Sequence, residues 1–387
     1  MSSNDAIVYL DHNATTPLHP EVLEAMLPYL QKLSGNPSSI HSAGIEARNG
    51  VEAARALLAR ALHCNADEIH FTSGGTESDN WAIKGLCGRS PDAGKVVTSA
   101  VEHPAVLRSC QYLERLGHEV VYVPVDSQGV IDLGALDASL DENTALLSIM
   151  HGNNETGSLQ PVYEAGLMAR ERGIPFHVDA VQTFGKLPVH LAELNADAVS
   201  VSAHKINGPK GVGALFVRAG TTIEALMHGG DHRGAGRAGT ENVASIIGFG
   251  RAAELCQEHM AEEAQRCRHL RDRLETGLLA QINDIVINGG AGQRLTNTSN
   301  IAFTGVESEA VVMGLDLAGI AVSSGSACAS GSADPSHVML AMGREPRQAA
   351  CAVRFSVGRS NNETEIDRVI DVVPTLVSRL RELSVFS

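Results

Sequence analysis

No stretch of this chain approaches the roughly 18 consecutive apolar residues that a membrane-spanning helix needs, and no basic flank precedes an apolar core in its opening MSSNDAIVYLDHN. Both absences set the expectation of a cytoplasmic protein with no membrane partner. Nor is there a run of lysines and arginines. The basic residues are scattered and the formal net charge is -15, which argues against a nucleic-acid partner. The cysteines, at 64, 87, 110, 256, 267, 328 and 351, are odd in number and no two are spaced as CxxC. That leaves neither a disulfide framework nor a zinc or redox motif. Internal repeats and low-complexity tracts are missing too. What is there, 387 residues of which 43% are hydrophobic, suffices for a large core, in two domains or one large domain with an appendage.

Between about residue 66 and residue 218, short apolar runs alternate with helix-length amphipathic segments, the pattern of βα units in a largely parallel sheet. The expected strands are EIHFTS, KVVTSA, EVVYVPV, TALLSIM, PFHVDA, DAVSVSA and GALFV. TESDNWAIKGLC, PAVLRSCQYLERLG and PVYEAGLMARERG between them have apolar residues three and four apart and predict helices. From Glu241 to about Gln281 a helical stretch broken in places by glycine reads as a connector. A smaller α/β region follows, with strands SNIAFTG, GIAVSS and AVRFSV and a closing amphipathic helix ETEIDRVIDVVPTLVSRLREL. The expected division is a large domain over 15–260 and a small one made of 1–14 and 261–387.

Ligands of an open α/β sheet bind outside the carboxyl ends of its strands. In FTSGGTESDN a strand passes through Ser73, Gly74 and Gly75 into a helix near Thr76, offering backbone N–H groups and a positive helix end to an anion such as phosphate. Taken alone, such a turn is more often only a turn. Asp179 ends an apolar strand with Gln182 close behind. It is either an N-cap or the partner of a cationic ring nitrogen. His103 and the pair Asn153 and Asn154 follow two further strands, and Ser202, His204 and Lys205 follow another. Polar residues at five successive strand ends are hard to assign to chance.

These segments resemble a known family. YLDHNATTP, GNPSSIHSAG, FTSGGTESDN, VEHPAV, MHGNNETG, FHVDAVQTFGKLP, SAHKINGPKGVGALFVR, AGTENV, SSGSACASGSADPSHV and VRFSVGR are similar to motifs of fold-type I enzymes dependent on pyridoxal 5'-phosphate (PLP). Within these they match the cysteine desulfurases of the NifS and IscS type, a branch of the class V aminotransferases. The resemblance implies a mainly parallel seven-stranded sheet between helices in the large domain, and a smaller α/β domain. It also implies that Lys205 carries PLP covalently, Asp179 pairs with the pyridine nitrogen, Gln182 bonds the ring hydroxyl and His103 stacks on the ring. Gly75, Thr76, Ser202 and His204 then bind the phosphate, and Thr240 reaches the phosphate of a neighbouring subunit's site, which makes a homodimer part of the expectation. Asn154 and Arg354 hold the substrate carboxylate, to which the planar fork of arginine is matched.

Cys328 lies in SSGSACASGSADP, a composition without large apolar residues that predicts an accessible loop thiol. The cysteines at 64, 87, 110, 256 and 267 sit in helical stretches and read as small buried hydrophobes. The implied reaction takes sulfur from L-cysteine as a persulfide on Cys328 and releases L-alanine. The persulfide would supply a sulfur-acceptor protein such as an iron–sulfur scaffold, with nitrogenase clusters one destination. A selenocysteine lyase or another class V PLP enzyme, such as an aminotransferase acting on small amino acids, is the nearest alternative, and a non-catalytic sulfur carrier using Cys328 and Cys351 a poorer one. Cys351 stands three residues before Arg354, where family members often carry a histidine slightly upstream. It is either inert or a second thiol near the site. In GGDHRGAGRAGTEN, Arg233 and Arg237 are placed differently from the family arrangement, and the chain's end at RLRELSVFS, shorter than an IscS-type tail, places it nearer NifS.

Overall fold

The computed structural model describes residues 7–88, 94–230, 236–324 and 335–383. All seven strands expected in the first region are present and form one sheet. Its order runs Ile69–Thr72, Gly213–Val217, Ala198–Ser202, Phe176–Asp179, Thr144–Met150, Lys95–Ser99, Glu119–Val123. Gly213–Val217 is antiparallel to both its neighbours, and the pairings from Ala198–Ser202 to Glu119–Val123 are parallel.

Strand alternation decides which residues face which layer. Phe176, Val178, Val199 and Val201 point into a core completed by Val51, Leu58 and Leu62 of the helix Ser42–Leu62. The opposite face buries Val96, Leu146 and Leu215 beneath Trp81 and Ile83 of the helix Gly75–Cys87 and Val106 and Leu113 of the helix Pro104–Arg115. Parallel strands covered on both faces explain why these runs read as almost wholly apolar.

A four-stranded sheet, Ser323–Ser324, Ala352–Ser356, Thr298–Phe303 and Ile285–Asn288 in that order, forms the smaller region. GIAVSS, expected as one strand, is two: Ile320–Ala321 pairs with Val8–Tyr9 and Ser323–Ser324 joins the larger group. The helix Glu363–Leu383 closes this region, burying Ile366, Val369, Val373 and Val377.

The stretch expected to be interrupted by glycine is one 39-residue helix, Val243–Gln281. Its glycines are points of close approach. A Cβ on Gly250 would lie 2.7 Å from Ala54 Cα, and one on Gly277 would lie 2.6 Å from Ile370 Cδ1. Phe249, Ala252 and Leu255 belong to the core under the large sheet. Leu270, Leu274 and Leu278 belong to the core of the smaller region, with Leu10, Phe303 and Phe355. Residue 260 therefore falls inside this helix. No helix among the described residues is long and apolar enough to cross a membrane.

Candidate active site

A cavity of about 590 Å³ opens at the carboxyl ends of the parallel strands. It brings together Gly75, Thr76, His103, Asn154, Asp179, Gln182, His204, Lys205 and Arg354, nine of the sequence-predicted residues, from segments far apart in the chain. Thr240 lines a separate cavity of about 290 Å³ with Ser73 and Arg237. Arg237 donates to Glu77 at 2.8 Å. Cys328 and Arg233 lie outside the described residues.

At one end, Gly74 takes φ +152, a value L side chains rarely adopt, and the helix Gly75–Cys87 begins. A Cβ on Gly75 would meet Val181 Cγ2 at 2.7 Å. Ser202 Oγ, buried close to Gly74, has no hydrogen-bond partner. An unpaired buried hydroxyl beside helix-initiating N–H groups suits an anion with several acceptor oxygens. His204 Nδ1 is 3.2 Å from Thr15 Oγ1.

Asp179 ends the central strand and its Oδ1 accepts from Val181 N–H at 2.9 Å. The alternation that aims it at the cavity also aligns His177, Ser148 and Ser200 on one face. His177 Nδ1 lies 2.9 Å from Ser148 Oγ and its Nε2 2.9 Å from Ser200 Oγ, while burial lowers its pKa to about 3 and leaves the ring neutral. Asp79 is buried against this group, and its Oδ1 has no hydrogen-bond partner. Burial raises both carboxyls, and the charge of Asp179 raises Asp79 further. The Val181 N–H and the Lys205 charge hold Asp179 down. Asp79 is thus the member that keeps its proton, and Asp179 the one that ionises.

His103 caps the helix Pro104–Arg115, its Nδ1 accepting from Ala105 N–H at 3.1 Å. Burial, with the Lys205 charge and then His337 assisting, lowers its pKa to about 4, so the ring is neutral near pH 7 with its proton on Nε2. Lys205 Nζ donates to the carbonyls of Asn13 and, at 2.8 Å, Ala14. Arg354 donates to Asn154 O at 2.9 Å and to Asp11 at 2.8 Å, while its buried Nε has no partner.

Besides Asp79, sequence reasoning missed four contributors. Asn13 is a buried hub: its Nδ2 donates to Asn154 O at 3.2 Å and Thr298 Oγ1 at 2.8 Å, and its backbone O accepts from Gln182 Nε2 at 3.0 Å. Lys186 Nζ donates to Gln182 Oε1 at 3.0 Å and Asn13 Oδ1 at 3.4 Å. Glu155 lines the cavity and accepts from Ser336 Oγ at 2.6 Å, and burial raises its pKa to about 7. Glu102, beside His103, accepts from Ser99 Oγ at 2.6 Å and Met150 N–H at 2.9 Å. Asn13 and Lys186 stand within the quoted motifs YLDHNATTP and FHVDAVQTFGKLP, but nothing in the local pattern shows that they meet.

Burial raises the pKa of Glu102 from 4.5 to about 8. A folded-state carboxyl that titrates above its unfolded counterpart costs stability as pH rises between the two values. Glu102→Gln, a neutral isostere, should match the parent below about pH 4.5. By about pH 8.5 it should exceed the parent by about 1–3 kcal/mol in urea unfolding. A stability difference that does not change with pH would show that Glu102 is ionised in the folded chain.

Cys351 is not near this cavity. It lines a separate one of about 420 Å³ with Val286, Val306 and Arg344, its Sγ 3.1 Å from Arg347 O, and burial raises its thiol pKa. Cys87, Cys110 and Cys267 are buried as expected, whereas Cys64 lies in a turn just beyond its helix.

The aminotransferase class-V family matches residues 8–369, nearly the whole chain and every segment that lines the cavity. The chain belongs to the aminotransferase class-V family. Among its class-V relatives, a cysteine desulfurase of Nostoc sp. is 48% identical over 98% of this chain and 95% of its own length. A solved NifS-like protein superimposes with a TM-score of 0.90 at 38% identity, covering 97% of this chain and 100% of that one. A structure described as SspA in complex with cysteine gives a TM-score of 0.81 at 34% identity, over 91% of this chain and 99% of that one. The class-V family implies PLP in general, and the cavity fits it: an orphaned hydroxyl at a glycine cradle, a carboxylate on the floor and a lysine amine on the wall.

Proposed function

We propose that this chain is a PLP-dependent cysteine desulfurase that converts L-cysteine to L-alanine and carries the sulfur as a persulfide on Cys328. The observation that carries the reading is the convergence of Lys205, Asp179, His103 and Arg354 on one cavity in a class-V chain. PLP supplies, when bound, an electron sink beside the substrate carbon. Lys205 would hold the cofactor's aldehyde carbon and Asp179 its ring nitrogen. Gln182 would donate to the ring oxygen, while Gly75, Thr76, Ser202 and His204 would take the phosphate. His103, a neutral imidazole, would lie against the ring and be available with Lys205 to move a proton. Asn154 and Arg354 orient the substrate carboxylate, the fork of Arg354 being pre-set by Asp11.

At the sulfur, the Cys328 thiolate forms an S–S bond as the carbon–sulfur bond breaks. The carbon keeps the bonding pair, takes a proton and leaves as L-alanine. Thr240 belongs to the same reading as a phosphate contact across a homodimer, with a sulfur-acceptor protein such as an iron–sulfur scaffold receiving the persulfide. The division into 15–260 and 1–14 with 261–387 goes with it, since Lys205 and Asp179 come from the first part and Asn13 and Arg354 from the second. A cytoplasmic setting suits the described cysteines, all free thiols.

Incubation with L-cysteine and a reductant should release sulfide and alanine in equal amounts, and Cys328→Ala should release neither. Sulfide without alanine would exclude the reaction. If the alanine variant lost cysteine turnover but kept L-selenocysteine turnover, the protein would also be a lyase for the selenium substrate.

A further inference from the structure

Lys186 has no role in the chemistry above, yet its nitrogen is seated behind Lys205 and donates to Gln182 Oε1 at 3.0 Å and Asn13 Oδ1 at 3.4 Å. It also borders a small cavity of about 80 Å³ shared with Lys205, His12 and Asn297. Two features make the arrangement consequential. An amide can turn end for end within the same outline, exchanging donor for acceptor. A charged lysine nitrogen carries three N–H groups and no acceptor, so it has a donor for each of these oxygens and takes only the oxygen end of an amide. With its oxygen turned to Lys186, Gln182 has its NH₂ end left to face the other way. There it donates to Asn13 O at 3.0 Å, the carbonyl that also accepts from Lys205. Asn13 is pinned in turn, because its Oδ1 takes a second donor from Asn297 Nδ2 at 3.0 Å.

We propose that Lys186 is a positioning residue: by claiming the oxygen of Gln182 it fixes that amide as a hydrogen-bond donor toward the ring oxygen of PLP. The inference rests on the PLP reading of the cavity. Lys186 acts at a distance from the reacting atoms, and its influence passes through Gln182.

That routing is what a double-mutant cycle measures. PLP-free protein is titrated with PLP by equilibrium dialysis, and the half-saturating concentration and the visible absorbance maximum of the bound form are recorded. Lys186→Met should raise the half-saturating concentration about tenfold, the scale of one lost hydrogen bond, and shift the maximum. Lys186→Arg, still donor-only, should stay within about threefold of the parent. In a Gln182→Met background, Lys186→Met should add less than about twofold, because the amide it oriented is gone. Thermal denaturation of the PLP-free proteins shows whether each is folded. If the methionine variant is not, Lys186→Gln, whose own amide both donates and accepts and so leaves Gln182 free to turn, is read in the same way. An unchanged titration for Lys186→Met, or a penalty of equal size in both backgrounds, overturns the inference. A parent protein that takes up no PLP overturns the cofactor reading beneath it.

Discussion

Lys205→Ala should turn over L-cysteine on the order of 10³-fold or more slowly than the parent, with the loss in kcat. The parent reduced with borohydride in the presence of PLP should yield one labelled peptide, carrying position 205, and the alanine variant none. The structure keeps this test clean. Lys205 Nζ donates to the carbonyls of Asn13 and Ala14, and the Asn13 carbonyl retains its bond from Gln182 Nε2 when the lysine is removed. The stability cost should therefore be about 1 kcal/mol, too little to confuse with unfolding. Losing the cation also lets Asp179 rise further, since the Lys205 charge is one of the influences holding it down. Label on Lys186 or Lys210 in place of Lys205 would move the covalent centre and discard the assignment of the surrounding residues.

The second large effect is expected at Arg354. Arg354→Leu should lower kcat/KM for L-cysteine by about 10², mainly through KM, because a planar fork that meets a carboxylate in two contacts is replaced by an apolar group. Arg354→Lys should recover only a small part of this, since it restores a charge without the fork. The guanidinium is 2% exposed and pairs with Asp11, whose side chain is 19% exposed. Truncation strands that carboxylate only partly out of water, so a stability loss of about 1–3 kcal/mol should accompany the kinetic one. Steady-state kinetics and thermal denaturation on the same preparations separate the two. A leucine variant with an unchanged KM would show that the substrate carboxylate is held elsewhere.

The physical reason why parts of this molecule could be read from its sequence is local. The strand runs before His103, Asn153, Asp179 and Ser202 are largely apolar because both sheet faces are covered, and the polar residue that follows or ends each run marks the edge where ligands bind. Residues whose meaning comes from distant partners carry no such mark. Asn13 is unmarked within YLDHNATTP until Gln182, Thr298 and Lys205 close around it. Asp79 is one unremarked polar residue of TESDNWAIKGLC until the fold buries it beside His177 and Asp179. The glycines between Glu241 and Gln281 read as interruptions because helix propensity counts the cost of a missing side chain. In the structure a Cβ on Gly250 would collide with Ala54, so the absence of a side chain is what lets two helices pack. Cys351 is ambiguous for a related reason: proximity in sequence to Arg354 does not tell where the turn before the strand Ala352–Ser356 places its side chain, which lines a different cavity.

The helix Val243–Gln281 gives one half of its length to each of the two hydrophobic cores. A single rod shared in this way couples their melting, because neither half can fray without exposing apolar surface that the other region helped to order. The two regions should lose structure together on heating, as one cooperative unit, and a fragment cut near residue 260 would begin with half a helix and an uncovered core.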